Sequence, residues 1–196
     1  MAKKILITSF EPFGLIGKFA RGQNTSQLIM DELRNDHLLD DHLDDNEFIY
    51  ITLPVDESAA ATLIAVLQEH EPDGIISMGE HMLATPGHVI VEPYAYDVEP
   101  STAPDLCLQF REHIDSAFVQ DRSDKPSSSH IGNYYCNHIY KTGLNWAAEN
   151  DSIPVAFVHV PVLGNQQVHK EQIQGLIKEM QSYTPAKSTG FALKPA

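Results

Sequence analysis

The sequence predicts a single α/β domain of three layers, with a mostly parallel twisted sheet flanked by helices on both faces. Three observations carry this expectation. Short apolar, β-branched runs alternate with helix-patterned stretches along the whole chain, the order that builds a parallel sheet covered on both sides. No internal repeat or linker divides it. The length of 196 residues suffices for one sizeable core. The domain is expected to span residues 1–183, followed by a poorly ordered tail at 184–196.

The elements follow in order. KKILITS (3–9) is a β-branched strand that ends in the breakers Phe10-Glu11-Pro12-Phe13-Gly14. Asn24-Thr25-Ser26-Gln27 has the form of a capping box, opening a helix to about Arg34 with Leu28, Ile29 and Leu33 on one face. The acidic stretch 35–47, with His37 and His42, reads as a solvated loop or helix end rather than a metal site. FIYITLPV (48–55) is a strand stopped by Pro54, and 56–70 a helix with Ala60, Leu63, Ile64 and Leu67 at helical spacing. DGIISMG (73–79) and HVIVEPYAY (88–96) are further strands. Residues 104–119 are expected to be a helix, with Leu106, Phe110, Ile114 and Phe118 near an i, i+4 stripe and Cys107 a small core residue. A loop at 123–129, a helix at 137–150, the strand IPVAFVHVPV (153–162) and an amphipathic helix over 165–183 complete the chain.

The balance of 42% hydrophobic and 20% charged residues is that of an ordinary globular protein. The net charge of −14 argues against nucleic acid and anionic membranes as partners, because no basic patch is available for phosphates. No run is long enough to span a bilayer. The apolar start, Ile5 to Ile7, is too short for a signal h-region. Two cysteines without a secretion signal point to the reducing cytoplasm. GLIGKF (14–19) fails as a phosphate loop, since Pro12 and Phe19 stand where glycine and Ser or Thr are needed. The ten histidines are not spaced as zinc ligands, so no metal site is expected.

Chemistry is suggested by three residues. Cys136 follows a break at Ser129–Gly132 and precedes a helical pattern. That places a thiol near a helix N-terminus, where N–H groups favour negative charge and can hold an oxyanion. His159 is a lone polar residue in AFVHVPV, and Glu92 closes HVIVE before Pro93. Alone, His159 reads first as a satisfied core histidine, and Glu92 as a cap or surface charge. Together the three supply a nucleophile, a base and an orienting carboxylate. In open α/β sheets, sites gather at carboxyl ends of strands. Phe10–Gly14, Gly79–Glu80, Glu92 and His159–Pro161 all lie at or beyond such ends.

These residues resemble the pyroglutamyl-peptidase I family of cysteine peptidases. Phe10–Gly14 is similar to its FEPFG segment, and Asn24 sits where the family has Asn-Pro-Ser. Leu53-Pro54-Val55 matches its LPV, and Ser77-Met78-Gly79 falls on a V-G strand end. Gly132–Asn137 resembles G-x-[FY]-x-C-N, and Phe157–Pro161 resembles FxHVP. The matches run in order from residue 5 to about 180.

The resemblance implies a cytosolic exopeptidase acting on peptides or small amides without a cofactor, and it allows a homo-oligomer. It makes Cys136 the nucleophile, His159 the base and acid, and Glu92 the orienting group. Phe10, Phe13 and Tyr134 would line a pocket for the flat lactam, with backbone groups near Glu80 pairing its N–H and C=O and Asn24 on the substrate side. The chain departs from the family pattern at Gly14-Leu15, at Glu92-Pro93-Tyr94-Ala95-Tyr96-Asp97, and at Thr85–His88, where the family's arginine is absent. Two alternatives stay open: an amide hydrolase or acyltransferase acting on another small acyl group, and a non-catalytic binding homologue. His130 and His138 flank the thiol, and solvent exposure is the simplest reading of both.

Overall fold

Strand β1 (Lys4–Phe10) lies inside the sheet, second from one edge. In the computed structural model, which describes residues 2–13, 22–35, 46–81, 86–100, 108, 111–122 and 129–184, β1 pairs in parallel with β2 (Glu47–Leu53) and β3 (Gly74–His81). Strand β7 (Val155–Pro161) extends the sheet in parallel from β3, and the short β4 (Ile90–Glu92) closes it antiparallel to β7. The strand order is therefore β2-β1-β3-β7-β4.

Both faces are covered, which explains the nearly continuous apolar runs. Ile5, Ile7, Ile76, Met78 and Val158 pack with α1 (Thr25–Asn35), α5 (Gln166–Ser182) and the one-turn α3 (Ala117–Gln120). Leu6, Ile75 and Phe157 face the other way, against α2 (Ala59–His70) and α4 (Tyr135–Glu149). Burying each such Leu, Ile or Phe contributes about 1.5–3 kcal/mol before chain entropy is counted. From β1 the chain crosses to β2 on one side, whereas β3 is continued by β7 on the other. The switch point opens a crevice at the carboxyl ends of β1 and β3, beside Phe10 and Gly79–His81.

Two expectations are corrected. HVIVEPYAY is not one strand: Pro93, which lacks an N–H, separates β4 from β5 (Tyr94–Tyr96). The two halves then join different sheets, β5 pairing antiparallel with β6 (His113–Asp115) in a separate ribbon. Nor is 104–119 one helix among its described residues. Ile114 sits in β6, and the Ser116 hydroxyl accepts from the Val119 N–H to start α3. Ile114 and Phe118 thus have helical spacing but belong to different elements. The remaining boundaries shift by a few residues; α4 begins at Tyr135, so the thiol of Cys136 lies inside its first turn. The loop at 14–21, the acidic stretch at 36–45, Thr85, Cys107, the loop at 123–128 and the tail from 185 lie outside the described residues.

Candidate active site

The site begins with the way α4 starts. Gly132 has φ +65, a left-handed conformation open chiefly to glycine. It turns the chain so that extended Tyr134 precedes the helix. Asn137 anchors this corner: its Oδ1 accepts from the Tyr96 N–H at 2.7 Å and its Nδ2 donates to the Tyr96 carbonyl at 3.0 Å. Cys136 is a free, half-buried thiol in the first turn, where the backbone N–H groups have no intrahelical acceptor.

Below the thiol, β3 and β7 run side by side with Gly79 directly opposite His159. A Cβ on Gly79 would lie 2.9 Å from Cys136 Sγ and 2.9 Å from Phe157 Cζ. The glycine is therefore what lets the sulfur approach the sheet. Gly79→Ala is expected to displace the thiol and lower kcat/KM about a hundredfold, the usual effect of misplacing a reacting atom by about 1 Å. Steady-state kinetics at an unchanged melting temperature checks this.

His159 and Glu92 are both fully buried. The imidazole Nδ1 lies 2.6 Å from Glu92 Oε1, and Cys136 is near enough to the ring to raise its pKa. Since Nδ1 is committed to the carboxylate, Nε2 serves the sulfur. The other carboxylate oxygen accepts from the Ser129 hydroxyl at 2.8 Å and the His130 N–H at 2.7 Å. Tyr140, one turn along α4 from Cys136, donates its hydroxyl to the Glu92 carbonyl at 2.8 Å. Glu92 is held from three directions.

Electrostatics follow from these bonds. Burial by itself would push the His159 imidazole down, but the nearby Cys136 and Glu92 outweigh that and raise it to about 9. Burial would raise the Glu92 carboxyl, yet the bonds from His159, His130 and Ser129 hold it below its ordinary value. The pair is charged at neutral pH. Because the folded imidazole titrates above its ordinary 6.5, its contribution to stability is complete below that value and is lost as pH rises through about 9. Glu92 behaves oppositely: its contribution is present above the ordinary 4.5 and is lost as pH falls through its lower folded value. Urea unfolding is therefore expected to show His159→Phe losing its difference from wild type as pH rises past about 9.

The other residues singled out from the sequence fall into two groups. Phe10 is buried in the same apolar cluster against which Tyr134 and Cys136 pack, and Phe13 is half-buried just beyond β1. The Tyr134 ring meets Tyr135 edge-on at 4.6 Å. Glu80 and Asn24, by contrast, are engaged at the start of α1. Glu80 Oε2 accepts from the Thr25 N–H at 2.9 Å and its hydroxyl at 2.8 Å. It supplies negative charge to a helix whose first turn has none of its own. The Asn24 Oδ1 accepts from the Ser26 N–H at 3.0 Å, and its Nδ2 donates to the Glu11 carbonyl at 3.1 Å. A cleft of about 470 Å³ lies here, lined by Gln23, Thr25, Leu28, Glu80, Val162 and Gln166 among others. It belongs to the α1–α5 side of the sheet edge, and Cys136 is not among its walls.

Sequence reasoning missed Ser129, Tyr140 and His81. Tyr140 carried a signal, the i+4 spacing from Cys136 on one helix. His81 carried another, the two-residue alternation that puts it on the same face of β3 as Gly79. His138 is half-buried rather than exposed, with its Nδ1 unpartnered. His130 is exposed and contributes its backbone N–H to Glu92.

Known proteins resemble the chain in sequence and in fold. No family model matches the chain. A pyrrolidone-carboxylate peptidase from Thermoanaerobacter sp. (strain X514) is 25% identical over 211 aligned positions, covering 97% of this chain and 93% of that protein. One from Vibrio campbellii is 25% identical, covering 87% of this chain and 84% of that protein. Along most of its length the chain is similar to members of the pyroglutamyl-peptidase I (pyrrolidone-carboxylate peptidase) family. The fold of that family is shared: the pyrrolidone carboxyl peptidase from Thermococcus litoralis superposes with a TM-score of 0.66 at 19% identity, over 94% of this chain and all of that one. Pyroglutamyl peptidase I from Bacillus amyloliquefaciens gives 0.66 at 17% identity, over 91% and 95% of the two chains. Among the described residues, no helix is long and apolar enough to cross a membrane, and no group of three His, Cys, Asp or Glu is placed to hold a metal ion.

Proposed function

We propose that this chain is a cytosolic cysteine exopeptidase that hydrolyses an N-terminal pyroglutamyl residue from peptides through a thioester on Cys136. The observation that carries the reading is the continuous line Cys136–His159–Glu92, buried behind the sulfur and open at it. The family supports the substrate: its members are named for the release of pyrrolidone carboxylate.

Cys136, as the thiolate beside the His159 imidazolium, attacks the pyroglutamyl carbonyl carbon and forms the C–S bond. The negative charge on oxygen is received by first-turn N–H groups of α4. As the C–N bond breaks, His159 gives its Nε2 proton to the departing amine. Water then attacks the thioester, losing a proton to the now neutral His159, and the thiolate leaves. Glu92 keeps the Nδ1 proton on its own side throughout, so Nε2 alone exchanges protons.

Phe10, Phe13 and Tyr134 offer aromatic surface to the flat, neutral lactam. Glu80 and Asn24 act on substrate indirectly, by shaping the crevice from the start of α1. Peptide-bond groups at the end of β3 pair the lactam N–H and C=O, and a site so built leaves polar groups unpaired when a prolyl ring enters. A second reading, hydrolysis or transfer of another small acyl group, is favoured by the engagement of Glu80 and Asn24 with α1 rather than with the thiol side.

A panel of pyroglutamyl, prolyl and acetyl arylamides separates these readings. Pyroglutamyl is expected to be preferred over prolyl by about 10⁴ in kcat/KM. Turnover of prolyl or acetyl amides without pyroglutamyl would establish the second reading. Binding of pyroglutamate with no turnover of any amide would make the chain a non-catalytic homologue.

A further inference from the structure

We propose that His81 is a positioning residue for His159, holding the imidazole in the orientation that meets Glu92 and Cys136 at once. This rests on the reading of Cys136, His159 and Glu92 as the catalytic set.

Gly79 sets the constraint. The residue paired with His159 across β3 and β7 is a glycine, because any Cβ there would collide with the Cys136 sulfur. The adjacent strand therefore offers no side chain at the position that would ordinarily support a neighbour across a sheet. Support comes from the diagonal position instead. His81, two residues on and on the same face as Gly79, lies with its ring centroid 4.8 Å from that of His159 at an interplanar angle of 75°. Phe157, two residues before His159 on its own strand, packs edge-on at 5.1 Å and 73°. Two rings thus fix the plane of the imidazole, while Glu92 fixes its tautomer. Burial, and then the charge of His159, push the His81 imidazole down, so an uncharged ring lies beside the imidazolium at neutral pH. His81 itself is half-buried at the strand end.

The test reads the catalytic set without using a pyroglutamyl substrate, so it stands or falls separately from the assignment of substrate. Two quantities are measured in the intact protein at neutral pH. One is the rate at which iodoacetamide alkylates Cys136. The other is the downfield proton NMR signal of the His159 N–H that bonds Glu92. His81→Ala is expected to slow alkylation about tenfold and to broaden that signal, the scale expected for losing one aromatic pair. His81→Phe, which keeps a flat ring, is expected to restore the signal and bring the rate within about threefold of wild type. If His81→Ala does not fold, His81→Leu serves as the variant without a ring. Wild-type alkylation and an unchanged signal in the ringless variant would overturn the proposal. Equal impairment in His81→Phe would overturn it too, because ring packing would then not be the cause.

Discussion

Cys136→Ala is expected to lower kcat for a pyroglutamyl arylamide by about 10⁴–10⁶, leaving only catalysis by binding and oxyanion stabilisation. The size follows from the loss of the covalent route: with no sulfur, water must attack the amide directly. KM is expected to change little, since the thiol makes no contact in the proposed lactam pocket. Because Cys136 is half-buried in the first turn of α4, where Ala is well tolerated, the melting temperature is expected to hold. Steady-state kinetics beside a thermal melt checks both. A fall of less than about a hundredfold would mean that the sulfur is not the nucleophile.

Glu92→Gln carries the second large effect, about 10³–10⁴ in kcat, and the reason is a tautomer. The Ser129 hydroxyl and the His130 N–H both donate to Glu92 Oε2, so the amide of a glutamine must keep its oxygen there. Its NH₂ group then faces His159 Nδ1. That nitrogen is forced to accept, the ring proton moves to Nε2, and the imidazole can no longer take a proton from the thiol. The substitution keeps the shape of the site, so loss of activity should exceed loss of stability. Slowed alkylation of Cys136 by iodoacetamide is the independent check, since it reads the thiolate without substrate. Activity within tenfold of wild type would rule out the orienting role.

What could be read from the sequence was local. β1, α1 and β7 are legible in KILITSF, in TSQLIMDELRN and in VAFVHVP because burial on one or both faces writes its period directly into the chain. The start of α1 was legible as well, since Asn24 caps through its own side chain. The β5–β6 ribbon was not. Its pairing joins residues about twenty apart, and Ile114 and Phe118 mimic a helical stripe while serving a strand and a separate one-turn helix. Pro93 was visible as a breaker, but its consequence, sending the chain from one sheet to another, depends on the strand that receives it.

The candidate site divides the same way. Cys136, His159 and Glu92 stood out because each is chemically out of place at a strand end or helix start. Their meeting is a property of the strand order β3-β7-β4 and the return of α4 over it. The residues that hold them are ordinary in sequence. Ser129 sits in a serine run, Tyr140 on an apolar helix face, and His81 at the end of a strand. Glu80 and Asn24 illustrate the converse. They were singled out on the substrate side through the family resemblance, yet their side chains are spent on the start of α1.

The central claim is that one sulfur carries the hydrolysis of pyroglutamyl amides, and titration of that sulfur tests it most directly. Iodoacetamide is added in steps, the alkylated fraction of the Cys136 peptide is read by mass spectrometry, and residual turnover of a pyroglutamyl arylamide is measured on the same samples. Activity is expected to fall in proportion to Cys136 alkylation and to reach zero when it is complete, whatever the state of Cys107. Full turnover by protein whose Cys136 is wholly alkylated would contradict the account.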